Sequence, residues 1–88
     1  MKRLHVGYTT SFIRQFKSLT PEIKEAAHEA IEAFEDRKNH ARLKVHKLKE
    51  HLRGSYAFSI DYRLRIVFDY SKPDKAVLHT MGDHDVYQ

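Results

Sequence analysis

Tyr56-Ala57-Phe58-Ser59-Ile60 and, close behind it, Leu64-Arg65-Ile66-Val67-Phe68-Asp69-Tyr70 decide how the chain folds. Both runs alternate. Tyr56, Phe58 and Ile60 share one face, and Ala57 and Ser59 share the other; Leu64, Ile66, Phe68 and Tyr70 repeat the apolar side. A period of two marks strands buried on one face. Parity then fixes how they pair. Ile60 and Leu64 can share a face only across an odd loop, Asp61-Tyr62-Arg63, which sets Ser59 opposite Arg65 on the less apolar side. Ser71-Lys72-Pro73-Asp74 reads as a turn and Ala76 to Met81 as the last strand, completing a three-strand meander. Gly82 to Tyr87 reads as a short polar tail.

Upstream, Lys2 to Tyr8 alternates as well, with Leu4, Val6 and Tyr8 on its apolar face, and predicts a first strand. Thr10 or Ser11 is expected to cap a short helix carrying Phe12, Ile13, Phe16 and Leu19. Thr20 and Pro21 suit the N-cap and first position of a second helix. Its stripe is Ile23, Ala27, Ala30, Ile31 and Phe34, and its end is expected near Arg37 to Asn39. The order strand, helix, helix, meander predicts an α+β fold of two layers, with a helical hairpin on one face of an antiparallel sheet. Residues 1–88 form one domain, since a chain this short has no surplus for a second core. Ser59, Arg63 and Arg65 belong on the open face.

Composition narrows the chemistry. With no Cys there is no disulfide, thiolate zinc site or Cys nucleophile. No apolar run approaches the roughly 20 residues of a membrane helix, so no membrane role is expected. The lack of a leader and of disulfides points to the cytoplasm. Charge is concentrated: Arg37 to Arg53 holds seven Lys and Arg against one acid, a local net of +6 on a chain whose total is +4. A polyanion is the natural partner of such a segment, and a solvated basic loop is the plain alternative.

RNA carries its own nucleophile, the 2′-OH. Its cleavage needs a base, an acid for the leaving 5′-oxygen and cations on the phosphate, but neither metal nor cofactor. By residue type, His46 and His84 are the candidate acid and base. No His-Glu-x-x-His spacing suggests a metal site.

Four segments in order resemble the RelE/ParE toxin superfamily: His46-Lys47-Leu48-Lys49, Leu52-x-Gly54-x-Tyr56, Arg65-Ile66-Val67-Phe68 and Gly82-x-His84-x-x-Tyr87. The resemblance spans nearly the whole chain and implies the toxin half of a bacterial type II toxin–antitoxin pair. It implies an mRNA interferase of the RelE, YoeB and YafQ branches, which inhibits translation by cutting mRNA at the ribosome, with a cognate antitoxin protein as partner. His46 falls where those branches place a Glu or His, His84 on their C-terminal His, Tyr87 on the neighbouring aromatic, and Lys49 on a basic RNA-contacting position. The catalytic group is then His46, His84, Arg65 and Tyr87, with Lys44, Lys47, Lys49, Arg53 and Arg63 binding RNA. One position departs: the branches' catalytic Arg, six residues before the Arg at 65, is Ser59 here. Arg65 across the strands, or Arg63 from the loop, is expected to stand in for it. The same departure keeps open a ParE-like gyrase poison, or a weak toxin that only binds its antitoxin.

Overall fold

The computed structural model describes residues 3–48, 54–61 and 63–83. Along the chain run β1 (His5–Tyr8), α1 (Thr10–Lys17), α2 (Pro21–Phe34), a single 3-10 turn (Arg37–Asn39), β2 (His46–Lys47), β3 (Tyr56–Ser59), β4 (Leu64–Lys72) and β5 (Lys75–Asp83). The strands form one sheet in the order β1-β5-β4-β3-β2. The α+β class, the helix pair and the meander are as the alternation indicates.

Thr9, not Thr10 or Ser11, caps α1: its hydroxyl accepts the Phe12 N–H at 3.0 Å. Thr20 caps α2 with Pro21 in the first turn. This helix stops at Phe34, short of the expected end, because Asp36 caps the Lys38 N–H and starts the 3-10 turn. The sheet differs from the expected antiparallel one in two ways. β1 pairs with β5 in parallel, His5 to Lys75 through Tyr8 to Leu78. The basic segment also contributes β2, which pairs His46 with Ala57 and Lys47 with Tyr56. Gly82 and Asp83, expected in the tail, extend β5 opposite Arg65 and Leu64.

β3 and β4 pair as parity requires, Ser59 opposite Arg65 and Phe58 opposite Ile66. Their apolar face meets the helices. Phe34 of α2 is fully buried, stacked on Phe58 at 4.2 Å between ring centroids and edge-on to Phe68 at 4.7 Å. Phe12, Ile31, Ile66, Leu78 and Met81 extend the same core. Burying each of these large side chains stabilises the fold by roughly 1.5–3 kcal/mol. The other face carries a much smaller cluster, Leu48, Ala57 and Val67, and no helix among the described residues covers it.

Beyond Tyr8 the outer edge of β5 has no strand beside it among the described residues, and α1 closes it with side chains. Thr9 takes over from β1: its N–H donates to the Leu78 carbonyl at 3.0 Å and its hydroxyl to that of His79 at 3.0 Å. Gln15 follows. Its amide nitrogen donates to the Met81 carbonyl at 3.1 Å and its oxygen accepts the Met81 N–H at 2.9 Å and the Thr80 hydroxyl at 3.0 Å. A side-chain amide thus supplies both hydrogen bonds that a neighbouring strand would, which satisfies an otherwise open edge.

Candidate nucleic-acid interface

The path into β2 is a tight turn. Leu43 is buried and anchors the segment, and the Lys44 N–H bonds the Ala41 carbonyl at 3.1 Å. Lys44 then adopts φ 58°, a left-handed conformation that costs a non-glycine residue roughly 1–2 kcal/mol. That turn aims the Lys44 carbonyl at the ring of His46, which it meets at Nδ1, 2.8 Å away. A carbonyl only accepts, so Nδ1 carries the hydrogen, and the neutral ring keeps its lone pair on Nε2. His46 is exposed. This arrangement selects the tautomer of a general base.

Pairing places the remaining groups. His46 is level with Ala57, and Ala57 with Val67, so His46 lies on the face without helices. Ser59 and Arg65 lie on the same face one pleat further along. Two strand spacings and two residues separate His46 from Arg65, about 12 Å between backbones at ordinary sheet dimensions. An Arg side chain could cover much of that distance, but this one is held elsewhere. Arg65 Nη1 donates to the Asp61 carbonyl at 2.7 Å and to that of Leu64 at 3.3 Å, which draws the guanidinium toward the β3–β4 loop. Asp61 organises this loop by accepting the Leu64 N–H at 2.7 Å and the Arg63 N–H at 2.8 Å. The Leu64 bond foremost, then that of Arg63 and the charges of Arg63 and Arg65, hold its carboxyl below the usual range despite a partial desolvation. Ser59 Oγ is buried and has no hydrogen-bond partner among the described residues.

Of the other sequence candidates, Lys44 is exposed on the turn and Arg63 on the loop. Lys47 is exposed but paired with Tyr56, so the pleat turns it to the helix side, away from His46. Lys49, Arg53, His84 and Tyr87 lie outside the described residues. The structure therefore brings His46 and Arg65 onto one face, with Lys44 and Arg63 at its rim. Sequence reasoning missed a hydrogen-bonded pair on this same face, Asp69 and His79, 2.8 Å apart. Alternation marks Asp69 as outward-facing, but the extra residue that brings His79 to it leaves no local signal. No group of three or more potential metal ligands occurs among the described residues. None of their helices is long and apolar enough to cross a membrane.

No protein-family model matches the chain, and no curated protein matches it in sequence. Solved structures do match in shape. The RelBE2 toxin–antitoxin complex of Mycobacterium tuberculosis aligns over 96% of this chain and 94% of the other, at TM-score 0.75 and 18% identity. The chain has the fold of the RelE/ParE toxins. The archaeal RelE–RelB complex of Pyrococcus horikoshii aligns over 96% of this chain and 98% of the other, at TM-score 0.73 and 13% identity. The YoeB/ParE toxin of Agrobacterium tumefaciens aligns over 92% and 99%, at TM-score 0.65 and 16% identity. In each case the agreement extends over nearly the full length of both chains.

Proposed function

We propose that the chain is the toxin of a type II toxin–antitoxin pair and cleaves mRNA at the ribosome without metal or cofactor. One observation carries this reading: on the open face of a RelE-like sheet, the Lys44 carbonyl holds His46 in the tautomer that can accept a proton at Nε2. His46 takes the 2′-OH proton as O2′ bonds to phosphorus. The P–O5′ bond breaks, the 5′-oxygen receives a proton, and a 2′,3′-cyclic phosphate and a 5′-hydroxyl result. His84 supplies that proton and Tyr87 assists it, the roles that the resemblance implies for these two residues. Arg65 stabilises the equatorial oxygens on release from the Asp61 carbonyl, and Lys44, Lys49, Arg53 and Arg63 hold the strand through its phosphates, whereas Lys47, turned to the helix side, does not. A cognate antitoxin is the expected partner, since the structures similar in shape include toxin–antitoxin complexes.

The test is inducible expression in bacteria, with primer extension on ribosome-bound mRNA. Induction is expected to arrest growth and produce discrete cuts, and His46→Ala to reduce cutting by about 100-fold or more. An equally active His46→Ala variant refutes the assignment. A second reading, a ParE-like poison of DNA gyrase, is favoured by one observation: Ser59 stands at the family's Arg position and the guanidinium of Arg65 opposite it is engaged by the loop. It predicts intact mRNA and accumulation of gyrase–DNA cleavage complexes.

A further inference from the structure

Asp69 is out of place on a surface meant for phosphates. Phe68 and Tyr70 on either side of it pack into the helix-side core, so Asp69 points to the face that carries His46 and Arg65. A carboxylate repels a nucleic-acid backbone, so its place on that face calls for a different role.

The neighbourhood is built to present it. Val67 pairs with Thr80 but Phe68 pairs with Leu78, so β5 holds one extra residue, His79, at a bulge. Bulges re-aim side chains. This one sends the His79 ring to Asp69, where Nε2 and Oδ2 are 2.8 Å apart. Thr9 secures the bulge by bonding the carbonyls of both Leu78 and His79. The two side chains stay accessible, Asp69 40% and His79 41% exposed. No other described group hydrogen-bonds the Asp69 carboxylate. Its two oxygens offer about four acceptor positions, and His79 uses one.

We infer that the Asp69 carboxylate, positioned by His79, reads a guanine in single-stranded RNA lying across the open face. Guanine alone among the RNA bases offers two adjacent donors, N1–H and the N2 amino group, on its Watson–Crick edge. A carboxylate accepts both, one on each oxygen, while adenine, cytosine and uracil each set an acceptor against it. Single-stranded RNA is commonly recognised through this edge. Asp69 lies two strand spacings and two residues from His46, again about 12 Å, on the opposite diagonal from Arg65. The guanine read is therefore close to the phosphate that His46 faces, at one fixed offset from it.

This inference rests on RNA being the ligand of the open face, but its test does not need cleavage. Uncleavable 2′-O-methyl oligouridylates carrying a single guanine, inosine or adenine are titrated against the full chain. The guanine oligonucleotide is expected to bind about tenfold more tightly than the adenine one, the order of a good bidentate base contact. Inosine, lacking the N2 amino group, falls between. Asp69→Asn is expected to bring all three to parity while its melting temperature shows that it is folded. Equal binding of guanine and adenine by the parent chain overturns the inference, as does a preference that survives Asp69→Asn. Guanine preference without mRNA cleavage leaves base reading intact and sinks the nuclease reading instead.

Discussion

Replacing Gln15 with Leu tests whether a side-chain amide substitutes for a strand at the edge of β5. Leucine keeps the size and apolar stem but removes the bonds to the Met81 N–H and carbonyl and to the Thr80 hydroxyl. Each net hydrogen bond contributes about 0.5–1.5 kcal/mol, and two of the three partners are backbone groups that water reaches only partly. Together they set a loss of about 2 kcal/mol, felt first where β5 carries Met81 toward Asp83. Hydrogen exchange is the direct measure. The Met81 amide is expected to exchange about 30-fold faster, the factor equivalent to that energy, while Phe68 and Leu78 change less. Gln15→Glu sharpens the test, because a carboxylate still accepts from the Met81 N–H but faces the Met81 carbonyl with a second acceptor. Repulsion raises its folded pKa above the unfolded value. That variant's deficit is therefore expected to be largest at neutral pH and to shrink as the pH falls and protonation restores a donor. Unchanged Met81 exchange in Gln15→Leu would mean that Gln15 only covers the edge, and the reasoning would fail.

Phe34→Ala removes the ring stacked on Phe58 and edge-on to Phe68, and is expected to cost about 3–5 kcal/mol in urea unfolding. Ser59→Ala deletes a buried hydroxyl with no described partner and should leave stability unchanged or raise it by up to about 1 kcal/mol, in contrast to most buried truncations. Asp61→Asn weakens the acceptor of the Leu64 and Arg63 N–H groups. The Asp61 carboxyl is held low, so its contribution is full above the unfolded pKa of about 3.9 and lost as pH falls through the folded value. Parent and Asp61→Asn are thus expected to differ at neutral pH and to converge in acid, measured by denaturant midpoints at both.

Much of this architecture was legible from alternation and parity. The pairing of Ser59 with Arg65 follows from the odd loop, because slipping the register by one residue would put Ile66 and Phe68 in solvent. The RelE-like motifs pointed to the fold that the structures similar in shape share. Three things were not legible. β2 is only His46 and Lys47, too short to show a period, and it forms because β3 offers an edge beside a segment turned by Lys44. The parallel partnership of β1 is a tertiary choice that no local pattern encodes. The direction of the Arg65 guanidinium depends on the Asp61 carbonyl, a backbone group whose position exists only once the loop has closed. Residue type identified His46 as a candidate; the Lys44 carbonyl supplied its tautomer.

The parallel pairing of β1 with β5 also orders events in time. β1 is made early and its partner comes from the other end of the chain, so the sheet's most distant contact in sequence is the one joining its outer strand. Contacts of this span are slow to form, and here they cannot begin until β5 is available. While the chain is being synthesised, α1 and α2 lack the strands that bury Phe12 and Phe34, and the open face lacks the β5 half that carries His79. The β5 part of that face is therefore assembled only after every other strand of the sheet has been made.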